Sequence, residues 1–535
     1  MTSYFSLLQR LYDFEKDYPL ERFVLGPIPF LWPIVKIASQ TRLFPKEERL
    51  NQSAEEVQTQ SQVVNLLQQE LSRIVRNCPA NSPDTGNHVL QHPARGDVVI
   101  LTSVPRRRFA FQHGLYDVYL DPIVEILKKN NISVSVMETG PRETYLKKRL
   151  YPSFFYGDVV LQAGAFARYH SAQIFPGIDL RPPSFFQDYV NWVWRENPEI
   201  EPLTWQEVLT SLGKILVLAQ YFRQCFTSIK PRLIVVAAWK DDKNLAALLA
   251  GRQLRIPTID FQHGAFLSMD VGYFHWPKGP QGGYPVMPNY IWFWGDHFKN
   301  IWLKNNALYE DDSALIGGSA WMHRWIYARD DLVTLKNHFR RYLLGAPEIE
   351  SFTIAVTLTG RMCFHMTILE IAEFLKQIIV RTSGNYTWLV RLHPQENFLL
   401  EELKTSLAML PHRIVIYEAH VVPILTLLET ADVHLTFGSS TAFEALACRV
   451  PTIGVTDYSK KSMERLLEEK VGYFTKDPIE IARMIDNIHA GECNELDFVK
   501  LPESKVNRFS CMRKNLPDDT LLAFLERIFS QSPSH

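Results

Sequence analysis

The sequence predicts an α/β protein of two parallel-sheet domains facing across a cleft, preceded by a helical N-terminal extension. Three observations carry that expectation. Short runs of β-branched and aromatic residues alternate with longer amphipathic stretches, as βα units do. The alternation occurs twice, over residues 97–294 and again over 352–455, so the second half repeats the first. The 535 residues, 46% hydrophobic and 21% charged, suffice for roughly two to four cores of about 100–200 residues each.

The first domain boundary falls at residue 90, and residues 1–90 read as helical and peripheral. An apolar stretch over 23–38 contains Pro27, Pro29 and Pro33 and falls short of the ~20 residues a bilayer span needs. It either packs in a core or lies against a membrane surface. Residues 53–76 carry Val57, Val63, Leu67, Leu71 and Ile74 near helical spacing, and the polar 77–96 reads as a linker. Residues 97–102 then form a buried strand, 120–129 a helix and 132–136 a second strand, which is one βαβ unit. A helical stretch over 205–227 leads to a strand at 233–238, a helix at 243–253 and strands at 257–261 and 290–294. These complete a Rossmann-like domain over 91–325. After 314–318 comes a charged helical segment, and the second Rossmann-like domain, 326–500, has strands at 352–358, 387–392, 413–417, 433–437 and 450–455. Residues 501–535 are expected to form a C-terminal helix packing back on the first domain. Open parallel sheets bind ligands outside the carboxyl ends of their strands, so that is where functional residues are sought.

Charge and absent motifs narrow the chemistry. With 57 Lys+Arg against 58 Asp+Glu, the chain lacks the basic surplus that nucleic-acid binding draws on; Arg106-Arg107-Arg108 is a short basic run and no longer block occurs. Six dispersed cysteines form no C-x-x-C, which argues against a zinc cluster or a disulfide framework and for a reducing compartment. The first residues lack the pattern of a signal peptide. No two of the 25 glycines are two residues apart, so no G-x-G-x-x-G dinucleotide fingerprint exists. P-loop, G-x-S-x-G and H-E-x-x-H motifs are absent too. Nor does any D-x-D occur, the carboxylate pair that would hold a divalent ion under a nucleotide-sugar diphosphate.

Two strand-end motifs stand out. The strand at 387–392 runs into His393-Pro394, where proline ends the ladder and leaves an imidazole at the sheet edge, able to donate to a phosphate or a base. The strand at 433–437 runs into Gly438-Ser439-Ser440-Thr441, a hydroxyl-rich turn opening a helix that carries Glu444 one turn in. Amides and hydroxyls at such a helix start suit an anion. Glu444 suits a ribose hydroxyl, or a capping box with Ser440 or Thr441. Each motif alone is an ordinary loop or an ordinary Ser/Thr cap; together they are more specific.

His-Pro and Ser-Ser-Thr about 45 residues apart, followed by a Pro-Thr-Ile-Gly strand, resemble the second domain of GT-B glycosyltransferases. The likeness covers roughly residues 230–460. It is nearest to bacterial capsule and surface-polysaccharide enzymes: sialyl-, polysialyl- and Kdo-transferases using CMP-sugars, and CDP-glycerol glycerophosphotransferases. The resemblance implies that His393 (with Pro394), Ser439 and Ser440 bind the donor nucleotide and its phosphate, with Thr441 and Glu444 as neighbours. Gly360-Arg361, ending the first strand of that domain, is a further candidate for the phosphate. In the first domain, Gln262-His263-Gly264 resembles a segment of the same families in which the His is a candidate base; Gln112-His113-Gly114 repeats the pattern. Asp241 and Asp242 are the other base candidates, although Lys243 stands where the sialyltransferase pattern has Gly.

The resemblance therefore implies a metal-independent inverting glycosyltransferase, with a nucleotide-sugar donor, CMP favoured, and a glycan or glycolipid acceptor. No cofactor, no metal and no nucleic-acid partner are expected. A cytoplasmic location with peripheral membrane contact goes with that reading, on the slender physical support of residues 23–38 and 106–108. The alternatives are a CDP-glycerol-type glycerophosphotransferase, a UDP-sugar transferase or 2-epimerase, and a non-catalytic scaffold of polysaccharide assembly.

Overall fold

The computed structural model of the chain describes residues 2–42, 89–90, 93–103, 107–111, 114–140, 149–195, 200–265, 270–327, 330–345, 351–359, 366–410, 412–417, 422–492, 503–513 and 515–531. The helix expected over 53–76, Gln112-His113 and Gly360-Arg361 lie outside the described residues. The chain divides into two units, one of Met1–Phe293, Phe298–Gly317 and Asp518–His535, the other of Trp294–His297 and Gly318–Pro517.

The first unit contains strands β1 (Val89–Leu90), β2 (Val98–Ser103), β3 (Arg107–Phe111), β4 (Gly114–Asp117), β5 (Val134–Thr139), β6 (Ser153–Phe155), β7 (Leu233–Ala237), β8 (Thr258–Phe261), β9 (Tyr290–Phe293) and β10 (Ala314–Ile316). β3 and β4 form an antiparallel hairpin. The other eight make a sheet in the order β1-β6-β5-β2-β7-β8-β9-β10, with every pairing parallel. β2 and β7 are buried at every position, which is why they read as unbroken apolar runs rather than alternating ones. The long helix Trp205–Ile229 starts at a capping box between Thr204 and Glu207 and stops where Lys230 turns left-handed at φ 57°.

The N-terminal helices Thr2–Asp17 and Leu31–Thr41 correct the expectation of a peripheral extension. The proline-rich stretch between and within them is core: Phe23, Leu25, Ile28, Leu31, Trp32 and Val35 are all buried. Trp32 lies 4.8 Å from Phe23, 5.6 Å from Phe14 and 5.7 Å from Tyr189, ring centre to ring centre. Side chains of this size bury too much apolar area to stay on a surface. Most of residues 23–38 is thus engaged in the core, with Val24, Pro27 and Pro29 left exposed. Among the described residues no helix is long and apolar enough to cross one.

The second unit contains β11 (Thr353–Thr357), β12 (Thr387–Arg391), β13 (Arg413–Tyr417), β14 (Val433–Thr436), β15 (Thr452–Gly454) and β16 (Tyr473–Phe474), all parallel in the order β13-β12-β11-β14-β15-β16. Its two faces differ in chemistry. Ile354, Val356, Trp388, Val390, Val433, Leu435 and Ile453 join one apolar cluster with the helices Ile368–Ile379, Leu400–Leu407 and Pro478–Ala490. The alternate positions, including Thr357, His434, Thr436 and Thr452, put hydroxyls and an imidazole on the other face, and all four are buried. Two parallel-sheet α/β units are thus present, as expected, with strands the sequence reading did not place: β1, β6 and β10 in the first sheet and β16 in the second.

Candidate functional site

Numbered within its own unit, the second sheet has strand order 3-2-1-4-5-6. The chain steps outward from β11 to β13, then returns to the other side of β11 with β14. The helix Ile368–Ile379, which follows β11, packs on the apolar face, and the helix Thr441–Ala447, which follows β14, accompanies the polar one. Connections that leave adjacent strands in opposite directions open a crevice at their carboxyl ends, the ligand site of open α/β sheets.

Ser439, Ser440 and Thr441 lie at that crevice, directly after β14. His393 follows β12, the neighbour of β11 on its far side, so it shares the carboxyl edge at two strand spacings, about 10 Å, from the turn. Pro394 begins a 3-10 turn, Pro394–Leu399, which Glu396 N closes onto His393 O at 2.9 Å. His393, Ser439, Ser440, Thr441 and Glu444 are all half-buried.

The turn's internal bonding decides what it offers a ligand. Thr436 Oγ1 accepts from Gly438 N at 3.2 Å and Ser439 N at 3.1 Å. Thr441 N donates to Ser439 Oγ at 3.3 Å, Ala442 N to Ser439 O at 3.3 Å and Phe443 N to Ser440 O at 3.0 Å. These five amides are taken up inside the turn, so fewer helix-start N–H groups are open than expected; the Ser440 amide is not among those bonded, and the side-chain hydroxyls stand beside it. Ser440 does not cap its helix, and no capping box with Glu444 forms. Glu444 sits beside Cys448, whose thiol is pushed well up by burial, then by Glu429 and Glu444. Gly438 is required by the backbone: its φ is +120°, and a Cβ there would come within 2.2 Å of Tyr458 Cδ1.

Beneath the turn lies a network the sequence reading missed. His434 Nε2 is 2.8 Å from Thr357 Oγ1, Thr357 Oγ1 is 2.9 Å from Thr441 Oγ1, and His434 Nδ1 is 3.2 Å from Thr452 Oγ1. Burial pushes the His434 imidazole down to about 3, so it is neutral at ordinary pH. The available signal was a His and a Thr two residues apart in a strand otherwise apolar.

The first sheet repeats the topology about β2, with β5, β6 and the added edge strand β1 on one side and β7 to β10 on the other. Asp241 and Asp242 follow β7 at its switch point, but both carboxylates are engaged. Asp241 caps the helix Asp242–Gln253, accepting from Asn244 N at 2.9 Å, and pairs with Lys243 at 2.7 Å. Asp242 accepts from Ser211 Oγ at 2.8 Å and lies 3.5 Å from Lys214. His263 follows β8 on the same edge, half-buried, its ring centre 6.1 Å from those of Tyr119 and Tyr273. Tyr273 in turn donates to the buried Asp260 at 2.8 Å.

A cavity of about 700 Å³ opens at the other edge of the second sheet, where Arg340, Arg341, Thr353, Asp432 and His489 line the amino ends of β11 and β14. It lies away from the strand-end residues above. Among the described residues no group of three or more His, Cys, Asp or Glu side chains is placed to hold a metal ion.

No protein-family model and no curated protein matches the sequence. Solved structures do resemble the chain. A UDP-GlcNAc 2-epimerase from Neisseria meningitidis bound to UDP-GlcNAc is 12% identical, with 80% of this chain and 99% of that one covered at a TM-score of 0.49. The wall teichoic acid polymerase TagF is 11% identical over 88% of this chain and 96% of its own, with a TM-score of 0.48. The spinosyn rhamnosyltransferase SpnG is 14% identical over 80% and 99%, with a TM-score of 0.42.

Proposed function

We propose that the chain is a metal-independent inverting glycosyltransferase. Its second unit holds a nucleotide-activated sugar, a CMP-sugar, and its acceptor is a surface glycan or glycolipid. The observation that supports this most is the seating of Ser439, Ser440 and His393 on one sheet edge beside the switch-point crevice. A hydroxyl of the acceptor attacks the anomeric carbon, the bond from that carbon to the nucleotide phosphate oxygen breaks, and the electron pair leaves with the phosphate. Hydroxyl donors of Ser439 and Ser440 and the His393 imidazole stabilise the growing charge. A single CMP phosphate carries less charge than a diphosphate, so neutral donors suffice where a cation would otherwise be needed.

His263 is assigned as the base that takes the acceptor proton. Asp241 and Asp242 are less suited, because capping and ion pairs already occupy their oxygens. Membrane contact enters this reading through a lipid-linked acceptor, since most of residues 23–38 is taken up in the core.

Calorimetric titration with CMP, CDP and UDP tests the donor site. CMP should bind, and both His393→Ala and Ser440→Ala should weaken it; unchanged affinity in both variants refutes the assignment. Preference for CDP together with glycerol phosphate in the product would move the reaction to phosphoryl transfer. His263→Ala should lower turnover about 10²-fold or more with nucleotide affinity intact.

A further inference from the structure

The direction of the hydrogen bonds under the Ser439–Thr441 turn follows from what each group can donate. Thr452 Oγ1 stands 3.3 Å from Val450 O, a carbonyl that can only accept, and 3.2 Å from His434 Nδ1; with the hydroxyl proton given to the carbonyl, Nδ1 carries the imidazole proton and donates to Thr452. Nε2 is then a bare lone pair, and accepts from Thr357 Oγ1 at 2.8 Å. Thr357 Oγ1 also lies 3.4 Å from Thr436 Oγ1, but the 2.8 Å bond to Nε2 is the shorter and takes its proton, so the Thr357 oxygen receives the proton of Thr441 Oγ1, 2.9 Å away. The other acceptor within reach of Thr441, Nε2 itself at 3.5 Å, draws that proton the same way. Burial leaves His434 neutral, at about 3, so the chain of bonds does not reverse through protonation near neutral pH.

Thr441 therefore shows the ligand lone pairs and no proton. Ser439 differs: its oxygen accepts from Thr441 N at 3.3 Å and its own proton is left to donate. Ser440 caps nothing and keeps its hydroxyl proton as well. A phosphate has only acceptor oxygens at neutral pH, which suits Ser439 and Ser440 and excludes Thr441 as its partner. We infer that His434 is a positioning residue which, through Thr357, sets Thr441 as the acceptor for a ribose hydroxyl of the nucleotide, while Ser439 and Ser440 serve its phosphate. The ribose hydroxyls are the nearest hydrogen-bond donors to a 5′-phosphate. This inference rests on the donor-site reading above and gives Thr441, there only a neighbour of the phosphate-binding residues, a role of its own.

Two measurements on the full chain test it. Imidazole nitrogen spectra of ¹⁵N-histidine-labelled protein should show His434 as a single neutral Nδ1–H tautomer from about pH 5 to about pH 8. The resonance is assigned by its absence in His434→Asn. An Nε2–H tautomer, or titration in that range, overturns the polarity whatever binds. Second, CMP, 2′-deoxy-CMP and 3′-deoxy-CMP are titrated into wild type, Thr441→Val and Thr441→Ser. Thr441→Val should weaken CMP about five- to tenfold and leave one of the deoxy analogues, itself weaker on wild type, unaffected. Thr441→Ser should retain CMP affinity, because it keeps the oxygen. Equal loss for CMP and both analogues, or no loss for any, overturns the ribose contact. If wild type binds none of CMP, CDP and UDP, the donor-site reading fails and the ligand half of this inference falls with it, while the spectra still decide the polarity.

Discussion

Lys36→Met should cost the first unit about 3–5 kcal/mol, the range for removing one partner of a buried ion pair. Lys36 and Glu15 are both fully buried. Lys36 Nζ donates to Glu15 Oε1 at 2.7 Å, to Oε2 at 2.9 Å and to Phe274 O at 3.1 Å, bonds to His275 O, and stands 3.9 Å from the centre of the Trp276 ring. Methionine fills the same channel and keeps the ring contact, but leaves a sealed carboxylate and two carbonyl groups without their cation. Trp32 Nε1 at 3.0 Å and His275 Nδ1 at 2.8 Å still reach Glu15, which holds the expected loss within that range rather than above it. The double variant Glu15→Gln/Lys36→Met should cost less than Lys36→Met alone, since no unpaired charge remains. Urea unfolding followed by tryptophan fluorescence reads both, because Trp32 and Trp276 flank the pair. A cost below about 1 kcal/mol, typical of exposed pairs, would refute the argument.

Gly438→Ala should cost about 2 kcal/mol or more, from its left-handed backbone and the approach to Tyr458, and should abolish nucleotide binding; thermal unfolding and titration check it together. Asp241→Ala should remove about 1 kcal/mol with the lost cap while leaving turnover within about tenfold of wild type; a larger fall in turnover would transfer the base role to Asp241. Gly317→Ala places a Cβ within 1.7 Å of Trp292 Cζ2 and should destabilise the first unit by about 2–3 kcal/mol, measured by denaturation.

Much of the fold was legible because parallel strands buried on both faces are rich in apolar and β-branched residues: 98–103, 233–237 and 353–357 all announce themselves. Ser153–Phe155 and Tyr473–Phe474 do not, since two or three residues display no period. Ala314–Ile316 was masked by the Gly317-Gly318 pair that ends it. The N-terminal segment read as peripheral because nothing local reveals the partner that Trp32 finds, Tyr189, some 150 residues away. At the candidate site, the hydroxyl-rich turn and the His-Pro exit were visible as strings. The relay through Thr357, His434 and Thr452 was not, because its members come from three strands whose neighbourhood only the sheet order establishes.

The two-faced sheet of the second unit has an unequal tolerance built into it. Oily contacts are indifferent to orientation, so the side carrying Ile371, Leu375 and Leu403 can be rebuilt with other shapes of similar bulk at modest expense. A directional lattice of protons offers no such latitude: swapping Thr357 or Thr452 for valine preserves volume yet silences one link, and every bond downstream is then free to flip. Diversity among variants selected for stability alone should therefore accumulate on one side of this sheet, while variants selected for a new ligand should be found on the other.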